Sequence, residues 1–183
     1  MLEAEIIAHC APTLAGIKTA NMFMYTTENQ EKLCMEIDEE NRILNSKGVF
    51  VEVLRTSESK ALVYVYRKKK LEYDLKREGA CTLLKNCGYE CQAADCCLRK
   101  LQERFFENDC FPHEVGLFLG YPLDDVNGFI EQKGKNYKCC GIWKVYGDEE
   151  QTQALFRRLK KCSEIYRRLF ANGRSILQLT VAA

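Results

Sequence analysis

The stretch VFVEVLRTSESKALVYVYR, residues 49–67, decides the fold class. Two β-branched and aromatic runs, residues 49–55 and 61–67, flank the polar link TSESK. Such runs fit a pleated, half-buried surface, and a short polar link between them makes an antiparallel hairpin. Upstream, residues 28–46 place Leu33, Ile37 and Leu44 among acids, with Thr27 as a cap and Gly48 as a stop. That is a helix feeding the hairpin. Pro12 suits a first helical position, and residues 12–25 carry Leu14, Ile17, Asn21 and Met24 on one face, so a first helix is expected there. Downstream, KKKLEYDLKREG reads as a charged helix ending at Gly79.

Residues 81–133 read as helical, with Cys97, Leu101 and Phe105 at a spacing of four. KCCGIWKVYG, residues 138–147, returns to strand character, with Trp143 expected in the core beneath a helix. Residues 148–173 form the clearest helix, with acids in its first turn and Leu155, Leu159, Cys162, Tyr166 and Leu169 along one stripe. SILQLTV, residues 175–181, reads as a last strand. The expectation is an α+β fold: a sheet of about four mostly antiparallel strands covered by helices. It forms one domain over residues 1–183, with a helical insertion at about 81–133 between strands two and three.

The 183 residues suffice for a sizeable core. Lys plus Arg number 27 against 26 Asp plus Glu, so the chain lacks the basic excess of a dedicated nucleic-acid or membrane-surface protein. The opening MLEAEIIAHCAP has neither a basic start nor a long apolar run, and nowhere do 18 apolar residues follow one another. With no secretion signal legible, the eleven cysteines read as reduced thiols in a cytosol, the load a strongly reducing, anaerobic cell tolerates best.

HEVGLFLGYPLDDVNGFIEQKGK, residues 113–135, has the outline of a helix-turn-helix. A helix from Pro112, a turn at Gly120 and a second helix opened by Pro122 would pack through Val115, Leu119, Val126 and Ile130. A recognition helix sets its first residues against bases and phosphates. Here those residues include Asp124 and Asp125, which repel a polyanion, and no arginine is present to pair with guanine. The segment therefore reads as a helical hairpin that packs on the fold and presents a polar turn. His113, Glu114, Tyr121 and Asp124 are the candidate surface for a protein partner. The basic flank of the last long helix, Arg157, Arg158, Lys160, Lys161, Arg167 and Arg168, is a second candidate surface, although a solvated face balanced by the acids at the helix start is the usual explanation.

Cys10 stands just before the helix expected from Pro12, where amides and dipole would stabilise a thiolate. With His9 or His113, the only histidines, it makes a candidate for thiol redox or metal chemistry; the plain alternative is a small apolar filler. Cys87, Cys91 and Cys96 are the weakest candidates for a metal site, because the C-x2-C pair that structural zinc prefers is missing and position 94 is Ala. The sequence holds no Gly-rich phosphate loop, G-x-S-x-G or H-E-x-x-H, and names neither cofactor nor small-molecule ligand.

HCAPTLAGIKTAN, FPHEVGLFLGYPLDDVNGFI and CCGIWKVYGD resemble the blocks of a family from clostridia and related Firmicutes, catalogued as a domain of unknown function. The likeness runs from about His9 to Val181, and the His-Glu helix start followed by Leu-Gly-Tyr-Pro is its most specific part. It implies a bacterial, anaerobic, cytosolic setting and carries no activity or site residues with it.

Overall fold

A computed structural model describes residues 1–90, 93–107 and 111–182. The fold mixes helices with two small antiparallel sheets, and the chain divides into two compact units, Met1–Leu71 with Cys162–Ala183, and Glu72–Lys161.

The first unit is built on the hairpin. Strands β2 (Val49–Thr56) and β3 (Lys60–Arg67) pair antiparallel, and β1 (Ala20–Thr26) adds to the other side of β3. As the central strand, β3 is buried from Ala61 to Arg67. Phe23, Val51, Val63 and Val65 pack with Leu2, Ile6, Cys10 and Leu14 of α1 (Leu2–Leu14) and with Leu33, Ile37 and Leu44 of α2 (Gln30–Leu44). Asn29 caps α2 by accepting from Lys32 N, and Gly48, at φ 74°, takes the left-handed turn into β2.

Two expectations fail at the ends of this unit. The first helix does not start at Pro12 and run through Tyr25. It starts at Leu2, contains Pro12 and ends at Leu14, with Gly16 just beyond at φ 72°. Ile17 N donates to Pro12 O and Gly16 N to Thr13 O, closing the helix in a Schellman turn. Residues 20–26 are then free to pair with β3, which favours a strand over the weak helical period there. The expected last strand is the short helix α9 (Ile176–Leu179). Ser175 and Gln178 form a reciprocal capping box that satisfies its first N–H groups, and Val181 N donates to Leu14 O.

The second unit holds most of α3 (Lys68–Lys76), then α4 (Glu78–Asn86), α5 (Ala94–Glu107), α6 (Val115–Phe118) and α7 (Leu123–Glu131). As expected, α5 buries Cys97, Leu101 and Phe105. The expected third strand is instead a separate hairpin of two-residue strands, β4 (Cys139–Cys140) and β5 (Lys144–Val145). The sheets are thus of three strands and two, in place of one of four. The long helix α8 (Glu149–Ala171) begins in this unit and ends in the first. Among the described residues no helix is long and apolar enough to cross a membrane.

Candidate functional site

The Leu-Gly-Tyr-Pro turn is assembled as its residues dictate. Gly120, at φ 70°, follows α6; Tyr121 N donates to Gly116 O and Gly120 N to Leu117 O. This is again a Schellman ending, and it requires a residue at ease with positive φ. Pro122 then stands at the N-cap of α7, where its own missing N–H forfeits no helical hydrogen bond. The two helices close on Gly116, where an added Cβ would crowd Val126 and Tyr121.

Asp125 does not face solvent as a recognition-helix residue would. It is 2% exposed, and its carboxylate accepts from Trp143 Nε1 at 2.7 Å, Tyr146 N at 2.7 Å and Gly147 N at 2.8 Å. Its charge is spread over three donors and ties α7 to the β4–β5 hairpin. Trp143, so held, stacks on Tyr121 with ring centroids 4.3 Å apart and meets Phe156 edge-on at 4.5 Å. The indole does lie in the core, as expected, and it fixes the tyrosine of the turn.

Glu114, expected on the surface, is also internal, at 2% exposure. It pairs with Arg104 Nε of α5 and accepts from Tyr89 OH at 3.1 Å, while Arg104 Nη1 donates to Cys87 O at 3.2 Å. A buried carboxylate needs such partners, and this one moors the start of α6 to α5. His113 is exposed and packs edge-on against Phe129. Asp124 is exposed. Of the four surface candidates, Tyr121 and Asp124 share a cleft of about 370 Å³ within the second unit, and His113 and Glu114 do not line it. Asp74, Arg77 and the apolar Leu117, Leu123 and Leu155 are among its other lining residues. Burial pushes the Tyr121 phenol up to about 12, so it remains a neutral donor and acceptor near pH 7. Nothing local singles out Arg77, because the charged run 68–79 reads as a solvated helix.

The thiol candidates fall differently. Cys10 sits well inside α1, not before it, and is 0% exposed. Burial pushes its thiol up, with Lys18 opposing, which disfavours the thiolate. His9 points elsewhere: it stacks on Phe23 at 5.1 Å and lies 3.3 Å from Glu5. His113 belongs to the second unit. Cys87 and Cys96 are half-buried, and Cys91 lies outside the described residues. Among the described residues no three His, Cys, Asp or Glu side chains are grouped to hold a metal ion. On α8, Arg157, Arg158, Lys160, Lys161, Arg167 and Arg168 are exposed, and Arg167 donates to Ala8 O, the carbonyl that Pro12 cannot serve.

Fold and site together define an α+β protein with a cleft built on a glycine-hinged pair of helices. Residues 6–180 match the family model described as "Protein of unknown function (DUF3793)", and the chain belongs to that family. No curated protein and no solved structure matches it.

Proposed function

We propose that this is a non-enzymatic binding or accessory protein whose partner docks at the turn formed by Gly120, Tyr121, Pro122 and Asp124. The observation that carries this reading is the cleft, where Asp124, Asp74 and Arg77 ring a floor that includes Leu117, Leu123 and Leu155. A few polar groups around an apolar floor suit a polar group carried on an apolar stem. Trp143 and Asp125 hold Tyr121 in place, so the turn is organised before anything binds. Glu114 contributes from beneath by fixing α6, and exposed His113 extends the surface. The eleven cysteines and the likeness to clostridial proteins support the cytosol of an anaerobic Firmicute as the setting. The alternative is thiol redox or metal handling by Cys10 with His9 or His113. It has less support, because full burial keeps Cys10 protonated and out of reach.

Affinity capture of the tagged full chain from its native host, wild type beside Asp124→Arg, tests the reading. A companion should come down in near-stoichiometric amount with wild type and be lost with the variant, whose far-UV spectrum stays unchanged. A chain recovered alone, or a companion indifferent to the substitution, contradicts it.

A further inference from the structure

The first unit contains a second cleft of about 370 Å³, walled by the start of α1, one face of α2 and the start of α9. Four carboxylates line it. Glu3 comes from α1; Glu36, Glu39 and Glu40 come from α2, at the three- and four-residue spacing that shares a helix face. Two are already engaged: Glu3 Oε1 accepts from Ile176 N at 3.1 Å, and Glu36 Oε2 from Tyr25 OH at 3.1 Å. Glu40 differs. It is 8% exposed, and its Oε2 is buried without a hydrogen-bond partner. The N–H groups of the first turn of α1 would be natural donors, yet none reaches it. No lysine, arginine or histidine side chain is among its lining residues; the cationic group there is the α-ammonium of Met1, a residue 83% exposed, against four acids. The remaining walls include the apolar Leu2, Ile43, Ile176 and Leu177.

A buried carboxylate oxygen to which the protein itself supplies no donor, set in an acidic cleft, suits a cation that can donate a hydrogen bond. We infer that the cleft binds a primary alkylammonium group, its nitrogen donating to Glu40 Oε2 and its methylenes lying on Leu2, Ile43 and Ile176. A bare divalent ion fits less well. It needs several oxygens converging at once, and among the described residues no three acidic side chains are grouped that way. An ammonium needs one or two oxygens at hydrogen-bond distance plus an apolar groove for its stem, and this cleft supplies both. A free aliphatic diamine and a lysine side chain share this chemistry.

Desolvation, with Glu3, Glu39 and Glu36 adding repulsion, raises the Glu40 carboxyl to about 7. Only its ionised form receives the cation, whereas an alkylammonium stays charged well above that pH. Affinity therefore rises with pH, about tenfold between pH 6 and pH 8.

Calorimetric titration of the full chain with 1,5-diaminopentane and, separately, with Nα-acetyl-lysine amide tests this. 1-Pentanol and calcium serve as controls. One or both amines should bind, the tighter one naming the source. Binding should strengthen about tenfold from pH 6 to pH 8. The near-isosteric Glu40→Gln should weaken it at least tenfold at pH 8 and flatten the pH profile, and Glu39→Gln should weaken it less. Binding of neither amine, amine binding unchanged by Glu40→Gln, or calcium binding more tightly than the amines would overturn the inference. The wild-type pH profile stands as a test even if Glu40→Gln fails to fold.

Discussion

Glu40 and Lys18 are both buried ionisable groups, and each leaves a mark on stability. Lys18 is 6% exposed and its ammonium donates to Ala20 O; burial lowers it from an ordinary 10.5 to about 7, with Cys10 opposing. Glu40 is raised from 4.5 to about 7. Between pH 4.5 and 7 the folded chain holds Glu40's proton more tightly than the unfolded chain does, so stability falls as pH rises. Between pH 7 and 10.5 the folded chain holds Lys18's proton less tightly, so stability climbs again. These two groups together place a dip near neutrality. Urea unfolding across pH should show Glu40→Gln flattening the acidic limb by roughly 3 kcal/mol and Lys18→Met the alkaline one by roughly 5 kcal/mol, at about 1.4 kcal/mol per pKa unit. Parallel curves for wild type and variants would show that neither site is as desolvated as its burial indicates.

At the scale of elements, the contacts that shape the site are polar, and Asp125 joins the most of them. One carboxylate secures an indole, two amides and thereby the short β4–β5 hairpin, which two-residue strands alone could not stabilise. Asp125→Ala would strand three donors and is expected to cost about 3 kcal/mol in denaturant unfolding, with the Trp143 fluorescence shifted as the ring loses its anchor. A loss below about 0.5 kcal/mol would mean the hairpin is held by packing on Phe156 and Tyr146 instead. Arg67 does similar work in the first unit. It is 3% exposed, donates from Nε to Thr13 O at 2.6 Å and from Nη2 to Leu14 O and Val181 O, and so caps α1 while tying down the chain's last residues.

Across the whole molecule, legibility in the sequence followed the range of the interactions. The β2–β3 hairpin, α2, α5, the Gly120 turn and α8 announce themselves through local period and caps, and they stand where expected. Helix α1 is hard to place because Pro12 reads as a helix start, although Leu2, Ile6, Ile7 and Cys10 mark an earlier face. The S-x-x-Q signature at Ser175 was present and lost to the β-rich look of SILQLTV. The inward turns of Asp125, Glu114 and Arg67 were not legible at all. Their partners lie 10 to 114 residues away, and nothing local distinguishes a charge that will be buried from one that will be solvated. For the same reason Glu114, expected at the partner surface, lies buried beneath the turn, and Asp74 and Arg77 line the cleft with Tyr121 and Asp124.

That cleft can be interrogated in the living host. With a photo-crosslinking phenylalanine analogue at Arg77, which lines it, irradiation should yield one dominant covalent adduct. The adduct should vanish with Asp124→Arg and not form from the exposed Arg55 of the first unit. No adduct from Arg77, or the same adduct from Arg55, would contradict a docking site at this turn.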